Sequence, residues 1–339
     1  MAMYCGIDLH SRDCWLAILD DGLKVVREAE KVSNDLGAIL EVLEPYREDL
    51  EGIAVESTFN WYWLVDGLEE AGYQMHLVNT WAVKQWEGLK YSDDRHDARW
   101  LAHLLALGIL PEGYIYPKQE RSVRDLLRRR AFMVRKRTSF LLAMRGAFEC
   151  RTGLRTTSSE VRQWTAEEIE SYLDDPAEAL GITCLLEPMR SLDGQIRIIE
   201  KGALTRARLR DEFAPLLTVW GIGKILALTT MYEVGEIARF KKVGNFASYC
   251  RLVKSARLSA GKRKGSGNRR NGNPYLSWAF SEAAHFAVRY HPPAKKYFQR
   301  KRSKTNGIIA IRALAHKLAR ASYYVMKDQV DFDSERVFG

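Results

Sequence analysis

The sequence predicts an α/β domain followed by an all-helical remainder. Three observations carry that expectation. Apolar, β-branched stretches of strand length alternate with helical patterns over the first third of the chain. A long basic amphipathic stretch follows Tyr116, and beyond it apolar residues recur at helical spacing almost to the C-terminus. At 339 residues the chain is long enough for two or three domains. The composition shifts divide it at residues 1–115, 116–210 and 211–330.

The first domain reads in order. Met3 to His10 (M-Y-C-G-I-D-L-H) is a strand, Asp13 to Asp20 a second and Leu23 to Glu30 a third, with Asp20-Asp21-Gly22 as a tight turn. Asp8 lies inside an otherwise apolar strand, where an unpaired carboxylate is costly, so it needs a partner or a metal. Leu36 to Tyr46 carries a helical pattern. Gly52 to Glu56 (G-I-A-V-E) is short and apolar, as a buried parallel strand should be, and Glu56 closes it. Trp61 to Ala71 is again helical and Tyr73 to Val78 is a strand. Ser92 to Arg99 (S-D-D-R-H-D-A-R) then opens a helix continued by Trp100, Leu101, Leu104 and Leu105, so Asp94 and Asp97, three apart, share one face. Crowded carboxylates repel, and a hard divalent cation such as Mg²⁺ is the usual compensation; a solvated, acid-rich helix start is the plainer reading.

Composition narrows the partners. Lys and Arg number 52 against 43 Asp and Glu, a net charge of +9 that is clustered rather than spread, which points to nucleic acid. Five scattered cysteines without a C-x-x-C pair argue against zinc and a disulfide framework, and for reduced thiols in the cytoplasm. No export signal opens the chain, and no apolar run approaches the roughly 20 residues that span a bilayer, so no membrane association is expected.

The connector begins with the basic helix. Eight Arg or Lys fall between Arg121 and Arg137, diluted only by Asp125 and interleaved with Val123, Leu126, Leu127, Phe132 and Val134. Its apolar side should pack while Arg124, Arg128, Arg129 and Arg135 meet phosphates; a solvated helix face is the alternative. Glu160 to Leu209 continues as a helical, coiled-coil-like connector, with Asp174-Asp175-Pro176 and Glu187-Pro188 as breaks.

In the last domain, Gly221-Ile222-Gly223 separates two apolar helical segments within Leu216 to Leu228. The layout is that of a helix-hairpin-helix-like element, in which Gly221 and Gly223 allow close approach and Lys224 sits beside a helix N-terminus suited to phosphate. An ordinary turn between packed helices reads equally well. Lys254 to Arg270 (K-S-A-R-L-S-A-G-K-R-K-G-S-G-N-R-R) holds seven basic residues, three glycines and no acid, so it should be a mobile loop ordering against phosphates. Lys262, Arg263, Lys264, Arg269 and Arg270 are its candidate contacts. A nucleic-acid-binding loop is the plain reading; the sharper one makes a serine within it a nucleophile, activated by neighbouring cations, a base or a metal. Trp278 to Tyr290 and Ile308 to Met326 read as helices bridged by the basic stretch Lys295 to Lys304, and Asp331 to Gly339 as a frayed tail. His285, His291 and His316 lack ligand spacing.

The motifs G-I-D (Gly6 to Asp8), V-E-S-T (Val55 to Thr58) and D-x-x-D-A (Asp94, Asp97, Ala98) together resemble the DEDD catalytic domain of one insertion-sequence transposase family, related to RuvC resolvase and the RNase H fold. Asp93 is a one-position alternative to Asp94. The resemblance implies that Asp8, Glu56, Asp94 and Asp97 hold catalytic Mg²⁺ (or Mn²⁺). In the same family, whose members include a Piv-type DNA invertase, a serine in a basic loop is the nucleophile. Leu252 followed seven positions on by Ser259, with R-R-N-G-N (Arg269 to Asn273) closing the loop, is similar to that pattern and selects Ser259. This sequence departs from the pattern where Ala260 separates Ser259 from Gly261 and where Arg251-Leu252-Val253-Lys254 replaces the usual G-L-x-P entry. Ser255 and Ser266 are therefore lesser candidates. The resemblance further implies double-stranded DNA (donor and target) as substrate, a noncoding guide RNA (bridge RNA), a homodimer or homotetramer, and a cytoplasmic protein associated with a prokaryotic nucleoid. Rival readings are a RuvC-like metal-dependent nuclease in which water attacks, and a non-enzymatic nucleic-acid-binding protein.

Overall fold

Strands β1 (Met3–Leu9), β2 (Asp13–Asp20) and β3 (Val25–Ser33) form an antiparallel meander, and β4 (Leu50–Glu56) and β5 (Met75–Val78) extend it in parallel on the other side of β1. The sheet order is β3-β2-β1-β4-β5, the mixed α/β arrangement expected of an RNase H/RuvC-like domain. The third strand starts two residues later than the sequence suggests. Leu23 takes a left-handed φ of 65° and the Asp20 carboxylate accepts from the Lys24 amide at 2.8 Å, which lengthens the turn. The computed structural model describes residues 1–83, 93–207, 209–254, 257–259, 261–265 and 271–339. It divides into two compact units, Met1–Lys118 and Gln119–Gly339.

The two faces of the sheet have different textures, and alternation along the strands is the cause. Cys5, Ile7 and Leu9 of β1, with Leu16, Ile18, Ile53 and Val55, join Ile39 and Leu43 of α1 (Leu36–Leu43) and Leu64, Val65 and Leu68 of α2 (Tyr62–Glu70) in one core. The opposite face carries small residues in a row: Gly6 pairs with Ala17 on one side and Ala54 on the other. Helix α4 (Asp94–Ala106), which follows the short α3 (Thr80–Val83), lies on this row with Ala98 and Ala102 fully buried. Asp8 and Glu56 stand two residues beyond Gly6 and Ala54, on the same face, toward the ends of their strands. Small residues thus let α4 approach, and its first turn arrives beside the two strand carboxylates.

The second unit is helical apart from one hairpin. Helix α5 (Lys118–Thr152) serves two cores. Val123 and Leu127 belong to the larger one, while Leu141, Met144 and Phe148 pack with residues of α6 (Ser158–Gln163), α7 (Ala166–Tyr172), α8 (Pro176–Thr183) and the start of α9 (Leu186–Arg206). Capping boxes at Thr157/Glu160 and Thr165/Glu168 start α6 and α7. Asp175 caps α8 with Pro176 at its first position, as the break there predicts. The expected break at Glu187-Pro188 falls elsewhere: Pro188 sits in the first turn of α9, where a missing amide leaves no helical bond unmade, and the chain turns at 184–185 instead. Arg130 and Arg137 reach Glu200 and Asp193 at 2.8 and 2.7 Å, tying α5 and α9 side by side.

The larger core gathers α10 (Phe213–Thr218), α11 (Lys224–Val234), α12 (Val243–Tyr249), α13 (Pro274–Tyr290), α14 (Pro292–Lys304) and α15 (Gly307–Asp328). Two expectations are corrected here. The basic stretch Lys295 to Lys304 is helix rather than bridge, started by Pro292 and Pro293. The supposed frayed tail forms α16 (Ser334–Phe338), docked by the Phe332 amide on Thr218 at 2.8 Å and by rings around Phe338. The loop expected over 254–270 contains an antiparallel hairpin, β6 (Arg257–Ser259) with β7 (Lys262–Gly265), turning at Gly261 with φ 72°.

Candidate active site

At the carboxyl ends of β1 and β4 the acids of the first unit converge. The Asp8 side chain is almost fully buried, and its Oδ2 lies 3.1 Å from Nε2 of His10. The same nitrogen is 3.4 Å from Oδ1 of Asp94. Ligand atoms of Asp8, His10 and Asp94 all fall within 4.8 Å of one another. Glu56 and Asp8 lie close enough for each to bear on the other's protonation. Burial, then the charge and hydrogen bond of Asp8 and the charge of Asp97, push Glu56 up to about 7. Asp8 is also raised, chiefly by burial, against the pull of His10.

The two neighbouring aspartates at the head of α4 sit in different surroundings. Asp93 is the N-cap, its carboxylate accepting from the His96 amide at 2.8 Å, while Asp94 begins the helix and faces His10. Asp97, one turn along, is exposed and close enough to Glu56 to raise it. Four carboxylates and one imidazole offer mostly hard oxygen donors, crowded enough that Asp8 and Glu56 are both raised. Such a donor set fits a hard divalent ion, whose charge would offset that crowding.

His10 is the residue that sequence reasoning missed. Its only local signal is the two-residue spacing from Asp8, which sets both on one side of the chain. Asn34 and Asn60 each donate to the His10 carbonyl at 2.9 Å, and Thr58 supports Asn60 at 2.9 Å, so the V-E-S-T segment also fixes the histidine.

Ser259 ends β6 in the second unit, exposed and paired in register with Lys262. Lys262 and Lys264 are exposed beside it, and Arg263 pairs through its backbone with Leu258. Ser255, Ser266, Arg269 and Arg270 lie outside the described residues. The root of the hairpin is closely held. Arg251, with φ 54°, donates from Nε to the Gly272 carbonyl at 2.9 Å, and the Asn273 amide donates to Tyr249 at 2.6 Å. Arg312 donates to the Arg251 carbonyl and, at 2.9 Å, to Ser277. Asn273 caps α13 with its oxygen and donates its amide to the buried Glu233 at 2.7 Å.

The arginines expected to meet phosphates from α5 divide. Arg129 and Arg135 are exposed, as that role requires. Arg124 is buried, and Arg128 is held by Glu233 through bonds of 2.6 and 2.7 Å beneath the Tyr275 ring. These two are corrected to packing and pairing roles, because the apolar stripe of α5 turns them inward. In the glycine turn, Gly221 has φ 91° and a Cβ there would lie 2.1 Å from the Ala283 carbonyl, so close helix packing explains it. Gly223 caps α11 without a side-chain acceptor, and Lys224 is exposed at its first position. Among the described residues no helix is long and apolar enough to cross a membrane.

Comparison with known proteins matches both regions. Residues 5–149, which contain all four acids, match the DEDD transposase family of IS110 elements, and residues 214–299, which contain Ser259, match the Transposase IS116/IS110/IS902 family. A transposase for insertion sequence element IS1111A from Coxiella burnetii (strain RSA 493 / Nine Mile phase I) is 23% identical over 239 residues, 68% of this chain. The match spans 63% of that relative's length. With an RNase H-like sheet bearing the acids and matches to two family models in separate parts of its length, the chain carries the two domains of IS110/IS116-type insertion-sequence DEDD transposases.

Proposed function

We propose that the protein cuts and rejoins the DNA of an insertion sequence, with Ser259 as nucleophile and Asp8, Glu56, Asp94 and Asp97 as the ligands of Mg²⁺ or Mn²⁺. The observation that carries the reading is the crowding of Asp8, Glu56 and Asp94 around His10 at the strand ends, in a chain of this family. A divalent ion held there supplies Lewis-acid stabilisation of charge on the phosphate and its leaving oxygen. His10 keeps Asp8 and Asp94 oriented toward one another. Lys262 and Lys264 draw the phosphate to the hairpin and favour the alkoxide character of Ser259. The Oγ–P bond forms as a phosphodiester P–O bond breaks, and the departing sugar oxygen takes a proton. The phosphoserine retains a phosphoester bond for rejoining. Donor and target DNA are the substrates, a noncoding guide RNA selects them by base pairing, and two or four copies assemble around them in the cytoplasm.

The test incubates protein, candidate guide RNA, Mg²⁺ and labelled DNA. A protease-sensitive covalent adduct mapping to the hairpin is expected. Ser259→Ala should lose cleavage while binding DNA normally, and Asp8→Asn or chelation should abolish it. Cleavage retained by Ser259→Ala would assign the attack to water, as in a resolvase-type nuclease.

A further inference from the structure

A cleft at the root of the serine hairpin has the character of a DNA backbone site, and it joins residues of two basic segments, Lys254 and Lys301, to arginines outside them. It encloses about 1340 Å³ between α12, α13, α14 and α15. Five cationic side chains line it, Arg239, Arg251, Lys254, Lys301 and Arg312, together with the imidazole of His316, and among the lining residues there is no Asp or Glu.

What separates this cleft from the ion-paired arginines of α5 is a lining that holds no Asp or Glu. On α5, Arg128, Arg130 and Arg137 are each held by a carboxylate: Glu233, Glu200 and Asp193. In the cleft, Arg312 donates to two neutral oxygens, the Arg251 carbonyl and the Ser277 hydroxyl. Among the described residues no carboxylate pairs with Arg312, Lys254 or Lys301. A guanidinium and two ammonium groups facing one opening without acids create a potential that a polyanion relieves. Neutral hydroxyl and amide groups of Ser248, Asn245 and Asn271 at the same surface supply the hydrogen bonds that backbone phosphates accept.

We propose that this cleft binds the phosphate backbone of the DNA on which Ser259 acts, with Lys254, Lys301 and Arg312 as its phosphate contacts. The inference rests on the reading of the chain as a DNA-cutting protein and adds to it where the substrate is held. Continuity with the hairpin favours DNA over a guide RNA. Lys254 and Asn271 line the cleft on either side of the hairpin. Ser259 lies five positions on from Lys254, a contour of at most about 18 Å. That length corresponds to roughly five base-pair steps, so a duplex seated in the cleft lies within reach of the serine.

The test uses the full chain carrying Ser259→Ala, so that binding is read without cutting. Affinity for a short labelled duplex and for a single-stranded RNA is measured between roughly 50 and 200 mM salt. Lys254→Gln/Lys301→Gln is compared with Arg197→Gln/Lys201→Gln, an equal loss of charge from exposed residues on α9. The cleft variant should bind duplex about tenfold more weakly and lower the salt slope by about two, with its thermal transition unchanged. The α9 variant should leave the slope alone. An unchanged slope in the cleft variant, an equal fall in both variants, or a fall confined to the RNA would each overturn the proposal. A Ser259 that proves dispensable for cleavage would refute the nucleophile and leave this result standing.

Discussion

The carbonyl oxygen of Ala98 occupies the space in which a side chain on Gly6 would begin. A Cβ there would lie 2.1 Å from that oxygen and 2.6 Å from the Ala102 nitrogen, both backbone atoms of α4. The helix therefore rests on bare backbone of β1, and this closeness delivers Asp94 to Asp8. Gly6→Ala should push α4 off the sheet, with a loss of roughly 2–4 kcal/mol in urea unfolding and weakened Mn²⁺ binding in the folded fraction. Wild-type stability in this variant would show that the helix does not depend on the contact.

Glu56 makes the metal-free protein sensitive to pH. Its folded value of about 7 exceeds its ordinary 4.5, so the folded state keeps a proton that the unfolded chain releases. The associated stability is fully present below pH 4.5 and is lost as pH rises through 7, by on the order of 1 kcal/mol after allowance for solvent screening at this half-buried group. Asp8, also raised, acts with the same sign. Thermal melts without divalent ion should fall across that window, more steeply than for Glu56→Gln. Mn²⁺ competes with protons for these raised carboxylates, so its affinity should rise over the same interval. Melts that stay level from acid to neutral pH would contradict this account.

Neighbouring aspartates at the head of α4 should behave oppositely. Asp93→Ala removes a cap and should cost about 1 kcal/mol while leaving Mn²⁺ affinity intact. Asp94→Ala removes a negative charge from a crowded cluster, so stability should hold or rise while Mn²⁺ binding weakens. Isothermal titration of both variants decides the assignment, and the reverse pattern would transfer the role to Asp93.

Buried Glu233 joins the exit of the serine hairpin to α5, accepting from Asn273 on one side and Arg128 on the other. Asn273→Ala removes two cap bonds and one bond to a buried charge, a loss of about 2–3 kcal/mol in urea unfolding. Because the anchor of the hairpin goes with it, adduct formation should fall further than DNA affinity does. Parallel losses in the two would reduce Asn273 to a structural cap.

Much of the first unit was legible in the sequence, because strand periodicity is local. Gly6 with Asp8, and Ala54 with Glu56, announce by two-residue spacing which carboxylates share a face with which small residues. His10 carried the same spacing, but its meaning depends on α4, which arrives more than 80 residues later. The arginines of α5 were legible as a basic stripe and illegible one by one. Whether Arg128 is available to a phosphate depends on Glu233, 105 residues away. The cationic cleft draws on four helices, and only their packing brings Lys301 of the basic stretch together with Arg312 and Lys254; the docked tail depends on Thr218, 114 residues upstream of Phe332.

Both ends of the segment that carries Ser259 leave the helical body at a single point, where Arg251 meets Gly272 and Tyr249 meets Asn273. An insertion tethered in this way adds no strain to its host. Residues 254–271 should therefore be exchangeable for a short glycine linker, leaving a body that melts as before. The same arm, transplanted between related chains, would carry its hydroxyl with it, so the reactive group and the scaffold that presents it can change independently.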